Sequence, residues 1–255
     1  MSTFPSTGAA LVSGGSGGIG AATARLLARE GADVVLTYNR NRDRAEAVAD
    51  EIRSLGRVAE AVAIDLRDGV AVTALVDGVA ARHGAIHTVV SAHGPFIHMR
   101  HISRITPELF WQTMEADVLA AYNLFTAVLP HLRTAAGALV AMATPALRRY
   151  AVKDILSVAP KAAIEAVVRG IAAEEGRYGV RANCVGVGVL TDGMFQALVD
   201  DGAFDDKFLE ASLKNSALRR FSTSEDVAEA AVFLASPRAR QITGQVLMVD
   251  AGYAL

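Results

Sequence analysis

Cysteine is almost absent from this chain. Cys184 is the only one in 255 residues, so an intrachain disulfide is excluded and a reducing compartment is expected. No stretch approaches the length and apolarity of a membrane span. Residues 1–8 lack the basic start and apolar run of a signal peptide, so a cytoplasmic protein is expected. Positive charge is also in short supply. The formal net charge is -2 and no basic run exceeds a pair such as Arg148–Arg149, read as a solvated loop pair, so the electrostatic footprint of a nucleic-acid binder is missing. No linker rich in proline, glycine or serine, no repeat and no low-complexity tract interrupts the chain, and residues 1–255 read as a single domain. With 52% hydrophobic residues there is ample material for its core, which excludes disorder as the main state.

What is present is an alternation of two patterns. Apolar runs of strand length occur at 9–13, 33–38, 58–65, 86–92, 138–142, 180–185 and 245–250, separated by longer segments of helical period. Because these runs are apolar on nearly every residue, both faces of the resulting sheet must be covered. That predicts an α/β, doubly wound (Rossmann) fold: a seven-stranded parallel sheet with helices on both faces. Helices are predicted over 18–30, 42–55 and 68–83, stopped by Gly31, Gly56 and Gly84. Ser222-x-x-Glu225 reads as a capping box for a helix through Leu234, ended by Pro237.

Between the first strand and the first helix lies Ser13-Gly14-Gly15-Ser16-Gly17-Gly18-Ile19-Gly20. Glycines here let the backbone approach a pyrophosphate, while the helix N-terminus offers free N–H groups and the positive end of its dipole. A glycine cluster alone means only a flexible turn. At a strand-turn-helix junction of the first βαβ unit it points to a dinucleotide.

The Gly-x-x-x-Gly-x-Gly spacing of Gly14, Gly18 and Gly20 resembles the fingerprint of the short-chain dehydrogenase/reductase family, in particular its 3-oxoacyl-ACP-reductase-like members. Further matches are Asp65-Leu66, Lys161, Val180-Arg181-Ala182-Asn183, Thr243-Gly244-Gln245 and Val249-Asp250, so the resemblance spans nearly the whole chain. It implies Gly14, Ser16, Gly18, Ile19 and Gly20 around the pyrophosphate, and Asp65 and Leu66 at the adenine. It further implies Ala92 and His93 beside the nicotinamide, Leu190 in a turn (186–192) closing over its amide, and Lys161 on its ribose.

An acid at the end of the second strand would hydrogen-bond the ribose 2′-hydroxyl of NAD and repel a phosphate. The stretch here is Thr37-Tyr38-Asn39-Arg40-Asn41, without an acid, and Arg40 offers charge-assisted hydrogen bonds to the 2′-phosphate of NADP. NADP(H) is therefore the preferred cofactor and NAD(H) the alternative. The competing reading makes Arg40 one more solvated arginine beside Arg42 and Arg44.

The same resemblance implies a Tyr-x-x-x-Lys pair, a serine about thirteen residues before the tyrosine and an asparagine in the preceding helix. Here the chain departs from the pattern. Ser157 stands where the tyrosine is expected, Thr144 at the serine, Asp117 at the asparagine, Ser91-Ala92-His93-Gly94 where Asn-Asn-Ala-Gly is expected, and Val187-Gly188 for Pro-Gly. A serine hydroxyl is a far weaker acid than a phenol and too short to replace one. Two explanations stand open: His93, with Asp117 to tune it, or Tyr150 replaces the tyrosine as acid in an oxidoreductase acting on a carbonyl or alcohol, or ordinary ketone reduction is lost and the chain is a cofactor-binding pseudoenzyme with a regulatory or subunit role or an enzyme needing hydride but little acid help, as in reduction of an activated double bond. The enoyl-reductase branch of the family carries its tyrosine seven positions before the lysine, where this chain has Asp154.

Phe195, Leu198, Phe204, Phe208 and Leu209, scattered among acids between 195 and 220, read as a helical lid over a small apolar substrate or as an ordinary amphipathic helix. Residues 95–99 are read as the opposite wall. His93, His98 and His101 do not form a closed ligand set and no acid or cysteine nearby completes one, so no metal is expected. The family resemblance implies a homotetramer or homodimer paired through helices 117–132 and 157–177 and the last strand.

Overall fold

The computed structural model describes residues 3–255; Met1 and Ser2, the start of the segment read above for a signal, lie outside it. Seven strands form one parallel sheet. In chain order they are β1 (Ala9–Ser13), β2 (Asp33–Tyr38), β3 (Ala59–Ala63), β4 (Ile86–Ser91), β5 (Ala138–Ala143), β6 (Arg181–Val187) and β7 (Val246–Val249), with spatial order β3-β2-β1-β4-β5-β6-β7. The predicted strands are all present, with ends displaced by at most two residues. The larger shifts fall at β3, which ends two residues early, and β6, which runs two residues further.

The helices are α1 (Gly18–Arg29), α2 (Arg42–Ser54), α3 (Gly69–His83), α4 (Pro107–Met114), α5 (Ala120–Ala135), α6 (Ile155–Glu175), α7 (Phe195–Asp200), α8 (Asp206–Asn215) and α9 (Ser224–Ala235). Side-chain alternation divides the core into two layers. Ala10 and Val12 of β1 pack with Leu27 of α1, Val48 of α2 and Val227 of α9. Ala9 and Leu11 face the other way, toward Val76 of α3, Leu124 of α5 and Val168 of α6. Both faces of the central strands are thus buried, which explains their unbroken apolar runs.

Two local readings are corrected. The capping box before α9 is Thr223 with Asp226, one residue beyond Ser222 and Glu225: Thr223 Oγ1 accepts from Asp226 N at 3.2 Å, and Asp226 Oδ2 accepts from Thr223 N at 2.8 Å. Ser222 is instead bridged through its backbone to Leu190. The helix predicted from Asp117 begins earlier and is not purely α: α4, a wide π turn (Glu115–Leu119) carrying Asp117, and α5 follow one another without a gap. Such turns insert one extra residue and re-aim a side chain, often at functional sites.

In a doubly wound sheet the ligand crevice opens where neighbouring strands lead their helices to opposite faces. Here that point lies between β1 and β4, and the loops leaving the C-terminal ends of β1, β4, β5 and β6 surround it.

Candidate active site

These loops enclose a cleft of about 840 Å³ running from the α2 N-terminus to the lid helices. Its first wall is the glycine turn. Gly14 has φ of +71°, and a Cβ there would lie 2.7 Å from the Ala92 carbonyl oxygen and 2.8 Å from His93 Cα. Gly18 is bare for another reason: a Cβ would sit 2.6 Å from Ser224 Oγ and 3.0 Å from Gly193 Cα. The turn is held by Gly17 N–H donating to the Gly14 carbonyl at 2.9 Å and by Gly15 N–H donating to Thr37 of β2 at 2.8 Å. At Gly14, Gly15, Gly18 and Gly20 the turn has no room for a Cβ, and Ser16 and Ile19 line the cleft between them.

At the far end, Asn39, Arg40, Asn41 and Arg44 line the cleft. Neither Arg40 nor Arg44 has an ion-pair partner among the described residues. The sequence reading assigned only Arg40 to this end and counted Arg44 with the solvated arginines. The first turn of α2 brings Arg44 to the cleft as well. Asp65 and Leu66 also line it, and Asn123 of α5 donates from Nδ2 to the Leu66 carbonyl at 3.0 Å. The Asp65 carboxylate is already engaged. Arg67 donates to both its oxygens at 2.6–3.1 Å, and those hydrogen bonds hold its pKa at about 2.

The catalytic positions divide into three groups. Lys161 and Asp117 form one: Lys161 Nζ donates to Asp117 Oδ1 at 2.8 Å, with Asp117 only 1% exposed and its Oδ2 sealed without a partner. Gly94 lies beside this pair. Thr144 and Ser157 line the cleft as expected, although Thr144 Oγ1 also accepts from Ala146 N at 3.2 Å. His93 and Tyr150 form the third group, and both differ from expectation. His93 Nδ1 is 2.8 Å from Ser13 Oγ, its Nε2 is cut off from solvent, and burial drives its pKa down to about 4. The imidazole is neutral at pH 7, not poised near 6.5 as an exposed histidine would be. Tyr150 is 46% exposed and outside the cleft lining, because the loop after β5 turns it to solvent.

Two cleft residues went unread as chemistry in the sequence. Asp154 is the N-cap of α6, a position where Asp normally binds the first helical N–H groups, yet its side chain makes no capping bond. It lines the cleft, and desolvation lifts its pKa from 3.8 to about 7. Residues 154, 157 and 161 are spaced i, i+3, i+7 and so share one face of α6. Tyr253, from the C-terminal segment, lines the cleft too, with Arg149 stacked on its ring at 5.5 Å. Burial raises its pKa and Asp154 pushes the same way, against Arg149. The signal for Asp154 was its seven-residue spacing from Lys161; Tyr253 had none, since only folding returns the chain end to the cleft.

The lid region forms two short helices, α7 and α8, with Phe204 stacked on Phe208 at 4.6 Å and edge-on to Phe195 at 5.8 Å. All three rings line the cleft. The preceding turn is anchored by Asp192, whose carboxylate accepts from Ser224 N at 3.0 Å and Ser224 Oγ at 2.8 Å, and Leu190 sits in that turn facing the cleft. Among the described residues no three His, Cys, Asp or Glu side chains gather as a metal site would require. No described helix is long and apolar enough to cross a membrane.

A glycine cradle at the switch point of a parallel sheet, with a lysine and an acid on the next wall, defines a dinucleotide-dependent oxidoreductase. Comparison with known proteins agrees. A family profile described as Enoyl-(Acyl carrier protein) reductase matches residues 14–254. The chain is 30% identical to versicolorin reductase of Emericella nidulans, over 95% of this chain and 94% of that protein. It is also 30% identical to a 3-oxoacyl-[acyl-carrier-protein] reductase of Staphylococcus epidermidis, over 95% and 97%. A short-chain dehydrogenase from Burkholderia cenocepacia, crystallised with NADP, superposes with a TM-score of 0.87 at 32% identity, covering 97% of this chain and 98% of its own. The chain belongs to the short-chain dehydrogenase/reductase family and is an NAD(P)-dependent oxidoreductase. The pseudoenzyme alternative gains no support from these relatives.

Proposed function

We propose that this protein is a cytoplasmic NADP(H)-dependent reductase of a carbonyl or activated double bond in a small, largely apolar substrate, with Asp154 as the proton donor in place of the family's tyrosine. The observation that carries this reading is an uncapped, partly buried carboxyl in the cleft, protonated near neutral pH, on the helix face it shares with Ser157 and Lys161.

The cofactor supplies a hydride when bound. Its pyrophosphate fits the bare backbone at Gly14, Gly18 and Gly20, where any Cβ would collide with neighbouring atoms. Arg40 and Arg44 suit a 2′-phosphate, and Leu66 with Asp65 suits the adenine. Lys161, its charge balanced by Asp117, is suited to hold the ribose hydroxyls.

In the chemical step Asp154 transfers its carboxyl proton to the substrate oxygen as the reacting carbon is reduced, and recovers a proton from solvent. A group with pKa near the working pH is the most effective general acid. Ser157 and Thr144 orient the oxygen by hydrogen bonding, and neutral His93 serves as a fixed dipole beside Ser13. Rings on α7 and α8 exclude water and match an apolar substrate. Pairing into a homodimer or homotetramer through α5, α6 and β7 follows the family pattern.

The test is NADPH oxidation with a panel of ketones, quinones and enones, repeated with Asp154→Asn. Turnover by the wild type that the variant loses, with NADPH still bound, supports the assignment. An Asp154→Asn enzyme of unchanged kcat overturns it.

A further inference from the structure

Beside the main cleft lies a second concavity of about 470 Å³, lined by Met99, Arg100, His101, Arg104 and Lys153. Its composition runs against the rest of the molecule: a chain of net charge -2 gathers three permanent cations and an imidazole around one basin, with no acid in the lining. All four basic side chains are exposed and none has an ion pair among the described residues, whereas Arg25, Arg57, Arg82, Arg133 and Arg148 each hold a carboxylate and Arg181 holds backbone carbonyls. Like charges held together without partners repel, so the arrangement lowers its free energy when an anion enters.

Two unconnected segments build the basin. Arg100 N–H donates to the Lys153 carbonyl at 2.9 Å, which ties the loop after β4 to the loop before α6, and Lys153 takes a left-handed backbone with φ of +75°. The basin adjoins the reaction site. Met99 lines both cavities, and Ala151 and Asp154, flanking the 152–153 segment, line the main cleft.

We propose that this basin is an oxyanion site that holds a phosphate-bearing tail of the substrate while its carbonyl or double bond enters the cleft. The proposal rests on the reductase reading above and narrows its substrate class. A phosphomonoester brings between one and two negative charges and three acceptor oxygens, matching several convergent cations better than a single carboxylate does. The apolar rings of the lid would then cover the middle of the molecule, between anionic tail and reacting head.

The test uses inorganic phosphate and two series of methyl ketones, one ending in phosphate and one in hydroxyl, with linkers of increasing length. Calorimetry with phosphate is compared for the wild type, Arg100→Ala/Arg104→Ala and Arg104→Lys. Loss of phosphate binding in the double alanine variant, retention in Arg104→Lys, and a KM raised about tenfold for phosphate-ended ketones alone support the proposal; the wild-type preference should fade at high salt as the charges are screened. Unchanged phosphate binding in the double variant, or a KM rise shared by both series, overturns it. Phosphate that inhibits only phosphate-ended ketones identifies the tail site. Phosphate that alters turnover of the hydroxyl series marks a free-anion effector and overturns the tail assignment. If the wild type reduces neither series, the reductase reading has failed, and calorimetry alone then decides whether the anion site stands.

Discussion

The two walls of the cleft follow different rules. On the cofactor wall, from the glycine turn through Asp65 and Leu66, recognition is made largely by backbone: what matters is where Cβ atoms are absent and where N–H groups point. Family-typical residues survive there. On the wall formed by the π turn and α6, recognition is made by side-chain atoms, and several of those have changed. By the family resemblance a phenol and an amide are expected at Ser157 and Asp117; what stands there instead is a hydroxyl and a carboxylate that balances the Lys161 ammonium at 2.8 Å. A backbone-built site tolerates little variation; a side-chain site can be re-equipped, provided charge and protons are still accounted for.

Substitutions that strike one wall and spare the other test this contrast. Largest should be Asp154→Asn, which is expected to lower kcat by about 10² to 10⁴-fold while fluorescence titration finds NADPH affinity unchanged. Should the rate survive, Tyr253→Phe becomes the informative variant. On the other wall, Gly18→Val drives side-chain atoms toward Ser224 and Gly193 and should weaken NADPH binding by about a hundredfold, roughly 3 kcal/mol, with a far-UV spectrum like the wild type's showing that the fold persists.

Smaller effects sharpen the comparison. Arg40→Ala with Arg44→Ala should raise the Kd of NADPH about tenfold and leave that of NADH unchanged; equal losses for both would mean that these arginines do not read the phosphate. Ser157→Tyr alone should add little to ketone reduction, because Asp117 already holds Lys161. Combined with Asp117→Asn it should raise turnover a few-fold, measured on simple ketones.

The smallest effect concerns stability. Asp154 has a raised pKa in the folded state, so between about pH 4 and pH 7 the unfolded chain gives up a proton that the folded one keeps, and stability falls as pH rises through that window. His93, partly buried in the cleft wall, acts oppositely: its lowered pKa makes stability fall as pH drops from 6.5 toward 4. Asp154→Asn leaves the histidine contribution in place. The Tm of the wild type should therefore decline relative to the variant's between pH 5 and 8, and parallel curves would contradict a partly buried acid that keeps its proton.

The parts readable in advance were those with a short-range cause. Nearly continuous apolar runs marked β1 and β5 because both faces are covered. The place of Arg40 in the cleft lining was legible because it follows the end of β2 at a short, fixed distance. The π turn was not legible, since nothing in Glu115-Ala116-Asp117-Val118-Leu119 departs from an ordinary helical pattern. His93 was expected to titrate near neutrality because its exposure depends on what the Ser13 end of β1 and the π turn bring against it. Tyr150 and Tyr253 changed places in importance for a similar reason: nearness in sequence to α6 suggested the first, while the return of the chain end selected the second.

By itself the sequence determined the parallel doubly wound sheet, the glycine turn at its first strand-helix junction and the absence of an acid in residues 37–41. Each of these depends on periodicity, residue type or fixed spacing from a strand end. Only the tertiary structure decided the state of the acids and bases. Whether Asp154 holds a proton, whether His93 is neutral, whether Lys161 has a counter-ion and whether three cations share one basin depend on solvent exclusion and on distances between segments far apart in the chain. Those quantities exist only once the chain has folded.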